Sequence, residues 1–253
     1  MKKISLLIIA LTLAFANNLT QAQDTTKKAD RITNVHIQYG FHLPGGDMNE
    51  RYGMNQVAGI STSFKTSTNW MFDADFSYIF GGNIKIHDSL FANIANDDGN
   101  IIDGNGQFAE LYTYERGYYI TLGVSKIFPW LAANKNSGVT IGAGAGFMQH
   151  KIRVYNPDNI APQVCGEYAK GYDYLTNGTA LKQFVGYTFF APKKVYSFKA
   201  GFEFVEAFTQ GRRDYLFPIG GPDTEKRIEF LYGFKLMWTI PFKKSTGETY
   251  YYF

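Results

Sequence analysis

Along most of this chain, apolar and polar residues alternate one for one. The pattern is plainest near the end, where Ile228, Phe230, Tyr232, Phe234, Leu236, Trp238, Ile240 and Phe242 are all apolar or aromatic. Their neighbours Glu229, Gly233, Lys235 and Thr239 are polar or small. A period of two marks a strand, because successive side chains of a strand point to opposite faces. At about 3.3 Å per residue this run can cross a bilayer at a tilt, for which about 9–11 residues suffice. Strands of water-soluble domains are shorter, at about five or six residues.

The same alternation recurs upstream. Val35, Ile37, Tyr39, Phe41 and Leu43 oppose His36, Gln38, Gly40 and His42; Trp70, Phe72, Ala74, Phe76, Tyr78 and Phe80 oppose Met71, Asp73, Asp75, Ser77 and Ile79. Tyr118, Ile120, Leu122 and Val124 oppose Glu115, Gly117, Tyr119, Thr121 and Gly123, while Tyr196, Phe198, Ala200, Phe202 and Phe204 oppose Ser197, Lys199, Gly201 and Glu203. Weaker members lie near Met54–Lys65, Gly138–Val154 and Thr179–Ala191, which makes about eight strands. Their connections alternate in length. Lys65–Asn69, Phe128–Ser137 and Ala191–Lys194 are short, whereas Pro44–Gly53, Asn83–Leu111, Tyr155–Gly178 and Gln210–Glu225 are long and rich in the turn residues Gly, Asn, Asp and Pro. Short periplasmic turns facing long extracellular loops are the asymmetry of outer-membrane barrels.

The start of the chain reads as an export signal. Lys2 and Lys3 precede the apolar stretch Ile4–Ala16, and Thr20-Gln21-Ala22 offers small residues for cleavage after Ala22. The expected organisation is a signal peptide over 1–22, a periplasmic segment over 23–30, a barrel over 31–242 and a periplasmic tail over 243–253. Without Lys2 and Lys3, the formal charge of +3 falls to +1, and no Lys/Arg-rich run points to nucleic acid. Cys165 is the only cysteine, so no intrachain disulfide can form. Aromatic residues make up 17% of the chain and only 8 residues are Pro, as expected for paired strands with an apolar outside. A water-soluble lipocalin-like barrel would turn these apolar faces inward. Their many large aromatics exceed what an eight-stranded interior holds, and the Gly, Ser and charged faces fit it better.

The layout resembles the small eight-stranded outer-membrane barrels of the OmpA/OmpX type over nearly all of Arg31–Phe242, in architecture and pattern. Tyr250-Tyr251-Tyr252-Phe253 is similar to the C-terminal aromatic signal read by the barrel-assembly machinery, although Lys243–Thr249 separates it from the last strand and Trp238–Phe242 is a second candidate carrier. The Tyr-, Asn- and Lys-rich style with an Ala-Gln cleavage site also resembles Bacteroidota envelope proteins, and no peptidoglycan-binding domain follows. The resemblance implies an all-β, closed, antiparallel, up-and-down transmembrane barrel in the outer membrane. Its partners would be outer-membrane lipid and lipopolysaccharide, periplasmic chaperones and the assembly machinery during biogenesis, and an envelope complex as a further candidate.

The expected lumen faces carry Asp73, Asp75, Glu115, Glu203 and Glu229 against Lys182, Lys199 and Lys235, with His36, His42 and His150 nearby. An open arrangement would make a polar conduit or proton-sensitive gate. A paired arrangement would make a plug, which is the expectation because an unpaired buried charge costs several kcal/mol. A lipid-modifying enzyme would need a rim nucleophile and base, for which His42, Asp47 and Ser61 are the nearest candidates. Gly142, Gly144 and Gly146 lack the spacing of a dinucleotide fingerprint and share one strand face. They are expected to make room in the lumen or let the barrel bend. Asp97–Asn100 and Asp103–Gly106 read as turns rather than as a calcium loop, since Phe108 stands where the EF-hand glycine belongs. Arg212 and Arg213 are candidate loop contacts for lipopolysaccharide phosphates, with a solvated loop or an internal Arg–Asp pair as the leading reading. Trp70, Trp130 and Trp238 lie near expected short-turn ends, where an interfacial aromatic girdle belongs. No cofactor or metal is expected. The leading function is a non-enzymatic envelope barrel with a structural or partner-binding role; a small pore or transport component and a lipid-modifying enzyme are the alternatives.

Overall fold

Period-two alternation becomes eight long strands. They are β1 (Ile32–Gly46), β2 (Asn55–Lys65), β3 (Trp70–Gly81), β4 (Tyr112–Phe128), β5 (Gly138–Tyr155), β6 (Thr176–Phe189), β7 (Ser197–Gly211) and β8 (Lys226–Phe242). The structure is a computed structural model that describes residues 29–191 and 197–242. The expected signal peptide, most of the 23–30 segment, the tail over 243–253 and most of the Ala191–Lys194 turn lie outside the described residues.

Each strand pairs antiparallel with its neighbours in sequence, and β8 returns to pair with β1 from Thr33↔Phe242 to Gly46↔Glu229. The sheet is therefore a closed up-and-down barrel of eight strands with no free edge. Following one row of pairs around the wall from Gly45 leads through Phe230, Glu206, Leu181, Ala145, Leu122, Ala74 and Thr62 back to Val35. The row returns to β1 ten residues from where it left. A stagger of that size over eight strands tilts them by about 40°.

One face of every strand points out and stays exposed, with Leu122 69% and Phe202 70% accessible. The other face is buried in a narrow lumen. Inward glycines on β5 match the closeness of its neighbour: a Cβ on Gly146 would lie 1.8 Å from the Ile120 carbonyl oxygen of β4. Gly142 and Gly123 line a cavity of about 20 Å³ beside Asp73 and Lys199. This glycine row thus serves both close strand approach and lumen space.

The two ends of the barrel differ. At the turn end, Ile32, Met71, Ile127 and Phe190 form a small apolar floor, and Asp30 is tied to the β4–β5 turn through Lys135 at 2.7 Å. At the other end the long connections fold over the lumen on an apolar core built on Met48, Tyr52, Leu90, Phe91, Val164 and Tyr172 and shared with inward strand residues such as Tyr119 and Leu231. The acidic turns brace this cap internally. Asp103 Oδ1 accepts from the backbone N–H of Asn105 and Gln107, both at 2.7 Å, closing the hairpin between Ile101–Ile102 and Phe108–Ala109.

Candidate functional site in the ion-paired lumen

The inward face places charged side chains from different strands at successive depths. Nearest the loop cap, the buried Glu229 carboxylate of β8 accepts a hydrogen bond from Arg51, the last residue of a four-residue helix in the β1–β2 connection. His150 Nε2 lies 2.8 Å from the same carboxylate, and Thr209 donates to it at 2.7 Å. Tyr52 closes this layer, its hydroxyl 3.2 Å from His150 Nδ1. Beside it, Asn55 Nδ2 is 3.1 Å from both oxygens of Glu115.

The middle layer centres on Lys235. Its fully buried ammonium lies 2.7 Å from Glu203 Oε1 and donates to Tyr119 Oη at 2.8 Å and Ser77 Oγ at 3.2 Å. The Tyr119 hydroxyl in turn donates to Glu203. Lys182 Nζ lies 3.2 Å from Asp75 Oδ2, whose other oxygen accepts from Ser77 at 2.8 Å. Each carboxylate in this layer thus faces a cation, which offsets the desolvation that an unpaired ion would suffer. Below, Ser125 donates to Asp73 at 2.7 Å, and His36 bridges Thr239 and Ser63 at 2.9 and 2.8 Å. Lys199 packs its ammonium over the Phe184 ring at 4.6 Å.

All eight charged residues read from the sequence face this lumen. Their partners could not be read without the register. Arg51, Tyr52 and Tyr119 were missed. Arg51 arrives from a connection with no periodicity, but Tyr119 carried a signal as the one large aromatic on the small and charged face of β4.

The trio imagined for lipid chemistry does not assemble. His42 is fully buried rather than on an exposed rim, 3.5 Å from Glu203, and neither ring nitrogen makes a hydrogen bond. Ser61 pairs with His36, six residues away along β1, and Asp47 accepts the Ile228 backbone N–H at 2.7 Å. Among the described residues, no group of three or more His, Cys, Asp or Glu could hold a metal ion. Arg213 takes the internal Arg–Asp pair. Its guanidinium forks onto Asp173 at 2.7 and 2.5 Å, which raises its pKa and leaves the side chain engaged within the protein. Arg212 stays exposed, donating from Nε to Asn177 Oδ1 at 2.8 Å.

Outside the wall, Trp70, Trp130 and Trp238 are all exposed toward the turn end, with Lys126 over the Trp70 ring at 4.8 Å and Phe128 stacked on Trp130 at 4.9 Å. No helix among the described residues is long and apolar enough to cross a membrane, so any crossing must use these strands.

No family model and no curated protein matches the chain. Among solved structures it is similar to Neisserial surface protein A at 12% identity and a TM-score of 0.42, over 83% of this chain and 97% of that one. It is similar to Ail of Yersinia pestis at 10% identity and a TM-score of 0.38, over 83% and 99% of the two chains. A major outer membrane protein of Thermus thermophilus follows at 9% identity and a TM-score of 0.41, over 83% and 99%.

Proposed function

We propose that the chain is a non-enzymatic integral outer-membrane barrel whose lumen is closed by its own ion pairs, with a structural or surface-interaction role in the cell envelope. The observation that carries this reading is the opposition of the two faces: exposed aromatic and aliphatic side chains around the outside, buried paired charges within. In water this outside would be a large unsatisfied apolar surface. In lipid it matches its surroundings, and the closed ladder leaves no strand edge unpaired.

The height of the belt supports the same reading. On β4 the outward apolar run is bounded by Arg116 and Lys126, ten residues apart. That separation is about 33 Å along the strand and about 25 Å along the barrel axis at this tilt, the height of an outer-membrane apolar band. Trp70, Trp130 and Trp238 act as the girdle on the turn side. In this reading the short turns face the periplasm, the folded cap faces outward, and the chain reaches the membrane through a cleaved signal, periplasmic chaperones and the barrel-assembly machinery.

Conductance in planar bilayers tests the closed lumen. The folded protein is expected to give no stable channel, because the Lys235–Glu203–Tyr119 layer and the cap both cross the path. Sustained conductance from the unaltered protein would overturn the closed-lumen reading in favour of a small pore.

A further inference from the structure

The belt does not end alike on all sides. On β4 and β5 the outward residues beyond Tyr118 and Phe147 are polar or cationic: Arg116 and Lys151 are direct cross-strand partners, and Arg153 follows opposite Tyr114. Asn177 of β6 continues the row, donating to Gln149 at 3.4 Å and accepting from Arg212 just past β7. Arg116, Lys151, Arg153 and Arg212 thus form a cationic ridge at the loop-side edge of the belt. Phe41, Gln56 and Phe80 hold the corresponding outward positions on β1, β2 and β3.

The ridge is poorly neutralised by the protein itself. The Arg153 side chain makes no ion pair or hydrogen bond among the described residues and is exposed. Arg116 donates to the Glu115 carbonyl at 2.6 Å and stacks over Tyr114 at 5.0 Å, which fixes its position without cancelling its charge. Two of the nearby carboxylates are already engaged. Asp173 takes the Arg213 fork and lies 3.5 Å from Lys151, and Glu110 accepts from the Tyr112 hydroxyl at 2.8 Å. Glu206 points outward lower on the wall, between Leu181 and Phe230.

We propose that this ridge binds the phosphate groups of an outer-leaflet lipid. Guanidinium forks match phosphate oxygens, and each such contact is a charge-assisted hydrogen bond. The ridge from β4 to β7 covers three strand spacings, about 14 Å, room for two phosphate groups on one headgroup. Its height selects a lipid over a dissolved anion, because the acyl chains of a lipid held there would lie on Ile120, Leu122 and Phe147 just below. The inference rests on membrane insertion as read above, and it replaces Arg213 with Arg116, Lys151 and Arg153 as the phosphate-contacting set.

The test titrates the folded, detergent-solubilised protein with diphosphorylated lipid A, with the same lipid after phosphate removal, and with inorganic phosphate. The unaltered protein is expected to prefer the phosphorylated lipid by about tenfold or more. The fourfold variant Arg116→Gln, Lys151→Gln, Arg153→Gln, Arg212→Gln should lose that preference, while Lys126→Gln on the opposite border keeps it. Equal binding of both lipids, a preference that survives the fourfold change, or inorganic phosphate binding as tightly as the lipid would each overturn the proposal. Arg153→Gln alone breaks no side-chain hydrogen bond or ion pair among the described residues; it should weaken phosphorylated-lipid binding severalfold even if the fourfold variant does not fold, and an unchanged affinity counts against the ridge. Retarded or advanced migration of unboiled protein on gels reports folding separately, so a failure of the barrel is distinguishable from a folded barrel that ignores phosphate.

Discussion

Strand β4 carries two opposite faces on one backbone. Its outward residues Tyr118, Ile120, Leu122 and Val124 are half-buried or exposed, while Glu115, Tyr119, Thr121 and Ser125, one step away, are buried. A water-soluble barrel would show the reverse order. The comparison teaches that the medium of a sheet face is written in which half of the alternation carries the bulk. Because the period is two, a register slip of one residue would put Glu115 in lipid and Leu122 against Lys235's layer, so burial on both sides pins the register.

The inside should yield the largest effect. Lys235→Ala removes the cation that faces Glu203 and Tyr119, and should cost about 3–5 kcal/mol in denaturant unfolding from lipid vesicles. Adding Glu203→Gln to that variant should recover part of the loss, since no buried anion is then left alone; a double variant worse than additive would contradict the pairing. Outside, Leu122→Arg introduces a charge at mid-belt and should cost about 2–4 kcal/mol in the same assay. A neutral result there would mean that this face does not meet hydrocarbon. Tyr119→Phe keeps the ring but deletes the hydroxyl between Lys235 and Glu203, and should cost about 1–3 kcal/mol. The smallest effect belongs to Arg153→Gln, whose stability change should stay within about 0.5 kcal/mol because the side chain has no hydrogen-bond or ion-pair partner among the described residues.

The strands and the sidedness of their faces were legible because the alternation runs over 11 to 18 residues per strand and both media select for it. The lumen charges were legible as a set for the same reason. Their pairing was not, since it depends on cross-strand register and on depth. Lys199 was grouped with the acidic residues yet rests on Phe184, and Glu229 takes its cation from Arg51 in a connection. The loop cap was the larger omission. Met48, Tyr52, Leu90, Phe91 and Tyr172 are scattered among turn residues without any period, so nothing local announced that four loops share one core. Arg212 and Arg213 looked equivalent in sequence; one is exposed and the other is held by Asp173, a residue forty positions away.

The most direct test of the central claim, a closed barrel with lipid outside and paired charge inside, is migration of the membrane fraction on denaturing gels, unboiled against boiled. The account predicts that the protein is found in the outer-membrane fraction and that its unboiled form migrates differently from the boiled one, because the closed ladder survives detergent until heated. Protein free in the periplasm with a single mobility in both samples would contradict it.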